Sequence, residues 1–139
     1  MVAGGPEPDG SAAHIFYRVG DRAELGRLIA DNEFQRAGLF VAHSPRAFHD
    51  FVEPIERLPH DVGWKVTLVD GAPADRVRAR SALARLRADK LVNLGGFFAD
   101  GSALIVVRLA DTAAAVAALE AAGGWDAARL TARAWSQTL

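Results

Sequence analysis

The amino-acid sequence predicts an α+β fold, an antiparallel sheet with helices on one face, and three observations carry that prediction. The first is a hairpin: apolar runs at residues 91–98 and 103–109 flank Asp100-Gly101, and an Asp-Gly pair between such runs is the strongest short-range hairpin signal. The second is a pair of helical stretches, residues 73–89 and 111–122, one on each side of the hairpin. The third is a strand pattern at each end, residues 64–69 and 128–135, so that residues 62–135 spell β-α-β-β-α-β. That is the order of a ferredoxin-like domain, in which two helices cover one face of a four-stranded antiparallel sheet.

Each element has a local cause. Residues 1–12, MVAGGPEPDGSA, lack any hydrophobic period and are expected to be a disordered leader. Residues 14–19 are β-branched and aromatic enough for a short strand. Asp21 then stands where an N-cap belongs, and Glu24 completes a capping-box pattern ahead of Leu25, Leu28 and Ile29 at helical spacing. A second short strand is expected at 39–42. Ser44-Pro45 reads as the start of a helix carrying Phe48, Phe51, Val52 and Ile55 on one face, with Pro54 and Pro59 ending it. Residues 14–60 are thus an additional β-α-β-α segment before the ferredoxin-like unit of 62–139, both within one domain from residue 13 to 139.

Within that unit, the strand at 64–69 runs into an Asp70-Gly71 turn. The helix after Pro73 is rich in Ala, Leu and Arg, with Val77, Leu83 and Leu86 as its apolar face. Gly95-Gly96 marks a bulge or a close approach within the hairpin's first strand. Asp111 or Thr112 caps the last helix, which includes Val116 and Leu119, and Gly123-Gly124 ends it. Along the closing strand Leu130, Ala132 and Ala134 alternate with Arg129, Thr131 and Arg133. The sheet face away from the helices is too apolar to meet water. It calls for a cover, by dimerisation into an α+β barrel or by residues 14–58, and a homodimer is the expectation.

Composition narrows the function classes. With 16 basic and 17 acidic residues among 139 the net charge is −1, so no field recruits nucleic acid or an anionic membrane surface. No cysteine is present, which excludes disulfides, thiolate metal sites and a catalytic thiol. No apolar run approaches the roughly 20 residues that span a bilayer, and the first residues do not form a signal peptide. A cytoplasmic protein is expected. Neither G-x-G-x-x-G nor G-x-S-x-G occurs, so dinucleotide-binding and serine-hydrolase motifs are missing.

Residues 64–135 resemble the YCII-related family of the dimeric α+β barrel superfamily, which includes muconolactone isomerases and cofactor-free monooxygenases. The resemblance rests on the helix running into LVNLGGFFADGSALIVV, the helix DTAAAVAALEAA and a closing strand that ends in Trp135. It implies a cofactor-free acid–base pair, a helix histidine and a hairpin aspartate, in a pocket between helix and sheet. Asp100 matches the aspartate of the family's GG-x-x-x-DG pattern, while Arg78, Ala79 and Arg80 stand where the histidine would lie.

The four histidines, His14, His43, His49 and His60, all fall in the first 60 residues. Histidine is the side chain most easily poised for proton transfer near neutral pH. His43, between an expected strand and a helix start, is the first candidate for general acid or base, with His49 and Asp100 completing the catalytic set. His43 could equally hydrogen-bond its own turn, and Asp100 could serve turn geometry alone. His14 reads as a structural residue at the start of a strand. Arg78 and Arg80 are candidates to hold a carboxylate or an enolate. Trp64, Phe97, Phe98, Tyr17 and Trp135 are candidates to wall an apolar cavity. No spaced histidine pair supports a metal, and no cofactor is expected. The sequence therefore points to isomerisation, elimination or cyclisation of a small hydrophobic carbonyl or enol metabolite. A non-catalytic dimeric ligand-binding protein and a cofactor-free monooxygenase are the alternatives.

Overall fold

A computed structural model describes residues 2–52 and 64–138. In chain order its elements are β1 (Ala3–Pro6), β2 (Ala13–Phe16), α1 (Arg22–Asp31), α2 (Glu33–Arg36), β3 (Phe48–Val52) and β4 (Trp64–Gly71). There follow α3 (Arg76–Ala88), β5 (Val92–Phe98), β6 (Ala103–Val107), α4 (Thr112–Ala122), a 3-10 turn (Ala127–Arg129) and β7 (Leu130–Gln137). Strands β3 to β7 form one five-stranded sheet in the order β3-β5-β6-β4-β7, antiparallel at every pairing. β1 and β2 form a separate two-stranded hairpin. The protein is α+β, and the β-α-β-β-α-β order expected of residues 62–135 is present.

Side-chain caps fix the helix starts. Asp21 accepts from the Glu24 N–H at 2.8 Å, which satisfies one of the donors that open α1, while Glu24 reaches back to the N–H of Gly20, just before the cap, at 2.7 Å. Asp75 and Asp111 cap α3 and α4 in the same way, through the N–H groups of Arg78 and Ala114. The central hairpin turns through four residues, 99–102, rather than Asp100-Gly101 alone. The Phe98 N–H donates to the Ser102 carbonyl at 2.8 Å, and Asp100 Oδ1 accepts from the Ser102 N–H at 2.9 Å. The ladder irregularity in β5 lies between Val92 and Leu94 and not at the glycines. Gly96 instead admits β3, because a Cβ there would stand 2.7 Å from the Asp50 carbonyl oxygen.

The core has two layers, one on each face of the sheet. Helices α3 and α4 bury Ala79, Ala82, Leu83, Ala115 and Leu119 against Val69, Val92, Phe97 and Ile105. Val77, expected in that layer, is 77% exposed, because α3 turns its small residues toward the sheet. On the opposite face Val66, Leu68, Leu94, Val106 and Trp135 are sealed together with Ala3 of β1, and Phe16 and Phe48 pack against them. Among the described residues no helix is long and apolar enough to cross a membrane.

Three expectations for the first half of the chain are corrected. Residues 3–6 form a strand and not a disordered leader: hydrogen bonds from Trp135 Nε1 and the Thr138 N–H to the carbonyls of Gly5 and Gly4 supply what the segment's own sequence lacks. Residues 39–42 form no strand, since nothing among the described residues pairs with them. The helix expected after Ser44-Pro45 is the edge strand β3. Its Phe48 stacks on Phe98, with centroids 4.9 Å apart, and its backbone completes the open ladder of β5, so tertiary pairing overrides the helical spacing. Pro54, Ile55, Pro59 and His60 lie outside the described residues.

Candidate functional site

The expected catalytic residues do not converge. His43 is exposed in a stretch without regular structure, and His49 is exposed where β3 slips register between Phe48 and Asp50. Asp100 is tied to its own turn through the Ser102 N–H and hydroxyl and to Arg46 Nη2 at 3.4 Å. The hydrogen bonds from Ser102 hold its carboxyl below the usual range. No hydrogen bond or ion pair joins any of the three to another.

The expected cavity wall also divides between the two faces. Phe97 lies on the helix side, stacked on Trp125 with centroids 5.8 Å apart. Trp135 belongs to the opposite layer, and Phe98 stacks there on Phe48 with the Arg46 guanidinium 3.6 Å above its ring. Trp64, half-buried, carries the Arg108 guanidinium over its ring. Tyr17 accepts from Asn32 at 3.4 Å. Arg78 is exposed, whereas Arg80 donates to both oxygens of Asp50 at 3.0 Å. Arg76 joins the same carboxylate at 2.9 Å and lies 3.5 Å over the Phe97 ring. Burial opposes ionisation of Asp50, but hydrogen bonds from Arg76 and Arg80 outweigh it and keep the carboxyl below its ordinary range. With one carboxylate shared by two guanidinium groups, this triad reads as a clamp of β3 to α3.

The ionisable groups that do come together lie across the other face. Glu7 follows β1, His14 is in β2 opposite Gly5, Asp70 is the next-to-last residue of β4 and Arg133 stands on β7. His14 Nε2 is 2.8 Å from Glu7 Oε1. Arg133 Nη1 donates to Asp70 Oδ2 at 2.6 Å. Arg133 Nε is 2.9 Å from Glu7 Oε1, but its N–H has no acceptor in line, so that contact is an ion pair without a hydrogen bond. The hydrogen bond with His14 leads the effects that lower the Glu7 pKa; burial opposes them and the Arg133 charge adds to them. Below the cluster, Trp135 meets the His14 ring edge-on at 6.3 Å.

Such a group of charges contributes little to stability. Partly exposed ion pairs are worth about 0–1 kcal/mol each, less than the roughly 1.5–3 kcal/mol gained by burying one large apolar side chain. What it sets up is an arrangement: an imidazole oriented by a carboxylate, with a guanidinium alongside. Sequence reasoning missed it because Glu7 sits in a stretch without hydrophobic period and Asp70 and Arg133 are distant in the chain. Among the described residues no group of His, Asp and Glu is arranged to hold a metal. A shallow groove of about 380 Å³ between α4 and the 3-10 turn, lined by Val116, Ala117, Glu120 and Ala132, holds no histidine. No protein-family model, curated protein or solved structure matches the chain.

Proposed function

We propose that this chain is a ferredoxin-like α+β protein of YCII-related type that moves a proton on a small hydrophobic carbonyl or enol metabolite, by isomerisation, elimination or cyclisation. The observation that carries the reading is the His14–Glu7 pair beside Arg133. Glu7 fixes the imidazole through Nε2, which leaves Nδ1 to exchange a proton with a carbon acid. Arg133, held by Glu7 and Asp70, is the group to stabilise the enolate oxygen that forms. The element order of residues 64–137 and the GG-x-x-x-DG hairpin support the family resemblance.

Hydrogen–deuterium exchange tests the chemistry without knowledge of the substrate. Acetylacetone, 2-oxobutyrate and a butenolide are incubated in D2O with the protein, and label entering the carbon next to the carbonyl is followed by NMR. Exchange above buffer is expected for at least one probe, with a loss of about 10²-fold or more in His14→Ala and a smaller loss in Arg133→Gln. A second reading, a non-catalytic ligand-binding protein, is favoured by the separation of His43, His49 and Asp100. It stands if no probe exchanges.

A further inference from the structure

The first forty residues contain a pattern already met in the central hairpin. GGPEPDGSA at 4–12 and GGFFADGSA at 95–103 are identical at six of nine positions. The likeness extends into the geometry. Ser11 donates to Asp9 Oδ1 from its N–H at 2.9 Å and from its hydroxyl at 2.6 Å, and Ser102 donates to Asp100 Oδ1 at the same two distances. Gly10 and Gly101 close the two turns with φ of 72° and 87°.

The correspondence continues past the turns. β2 begins at 13 and β6 at 103, α1 at 22 and α4 at 112, so these two elements precede their counterparts by ninety residues, one fewer than the ninety-one that separate the two turn motifs. Asp21 and Asp111 are the matching N-caps, both accepting at 2.8 Å, and Arg18 matches Arg108. A short helical turn follows in each, α2 in the first and the 3-10 turn in the second.

We infer that residues 4–42 are an incomplete second copy of residues 95–132, and that its hairpin serves this chain as a built-in partner, closing in cis the sheet face that would otherwise need another subunit. The copy has a counterpart of β5, β6 and α4 but, among the described residues, none of β4 and α3. Its hairpin therefore has no strand beside β2 and no sheet of its own to join. It lies instead on the larger sheet. Ala3 is fully buried there, and Gly5 comes so close to the Ser136 carbonyl that a Cβ would overlap it. Trp135 Nε1 donates to the Gly5 carbonyl at 2.8 Å, the Thr138 N–H to that of Gly4 at 2.9 Å, and Phe16 packs edge-on against Trp135. Under this cover Leu68 and Val106 have no exposed surface. The inference does not depend on the proton-transfer reading.

Two experiments on the full chain test it. The wild type is expected to sediment as a monomer of 14.8 kDa over a wide concentration range. Gly5→Val should displace the hairpin, giving a red shift of tryptophan emission, a rise in anilinonaphthalene sulfonate fluorescence and self-association. A wild-type dimer, or a Gly5→Val protein with unchanged emission and mass, overturns the inference. Because the chain has no cysteine, Gly4→Cys with Thr138→Cys reports the same contact without disrupting it. A bond within one chain on mild oxidation is expected, and a bond between chains, or none, overturns the inference.

Discussion

Around the β5–β6 hairpin the chain provides a neighbour on each side, β3 against β5 and β4 against β6, whereas the β1–β2 hairpin has neither and lies face-on upon the sheet. The turns have the same Asp–Ser bonds, although the first closes one residue wider, Glu7 N–H to the Ala12 carbonyl against Phe98 N–H to that of Ser102, so the larger difference is not in the turns. It lies in what each copy can pack against. Helix α4 rests on the sheet and buries Ala115 and Leu119 completely; α1 buries no residue, and Leu25 and Ile29 at the matching positions are half-buried. Like sequences reach the same local geometry through caps and turns. Only tertiary contact decides whether that geometry becomes core.

The strongest test of this contrast compares the two helices. Leu119→Ala empties a fully buried site and should cost about 2–5 kcal/mol, while Ile29→Ala should cost about 1 kcal/mol or less. Equal losses in urea denaturation would erase the distinction. The caps should separate the copies in kind as well as size. Asp111→Ala is expected to lower global stability by about 1 kcal/mol. Asp21→Ala should instead speed amide exchange within α1 and leave the denaturation midpoint almost unchanged.

The smallest effect concerns pH. The Glu7 carboxyl titrates below its ordinary value of 4.5 in the folded protein, so its contribution is complete above that value and is lost as pH falls through the folded pKa. The β1–β2 hairpin is accordingly expected to loosen under acid conditions before the β5–β6 hairpin does, seen as a change in Trp135 emission. Glu7→Gln should remove that early step. If it persists, another carboxylate holds the hairpin.

Much of the second half of the fold was legible in the sequence because its signals are short-range. Asp111 and Gly123-Gly124 bracket α4, and the apolar runs around Asp100-Gly101 define β5 and β6. β3 was not legible, because Phe48, Phe51 and Val52 suit a helix face as well as a strand, and the deciding partner, Phe98, is fifty residues away. The site was read least well. Glu7 meets His14 and Arg133 only after β1 has docked, so no spacing along the chain announces them. The usable signal was the recurrence of GG-x-x-x-DGSA, which marks residues 4–12 as part of a fold and not a leader.

One of the two edge strands of the sheet, β3, has a further consequence, for colloidal behaviour. Among the described residues no strand pairs with the outer side of β3, so it presents a row of backbone donors and acceptors there, the kind of margin from which neighbouring molecules can extend a sheet into fibrils. Its register slip at His49 breaks the flatness such growth needs, and the charged Asp50–Arg76–Arg80 cluster adjoins it. Concentrated solutions therefore meet an irregular, charged margin at this end of the sheet, a poor seed for intermolecular strand addition.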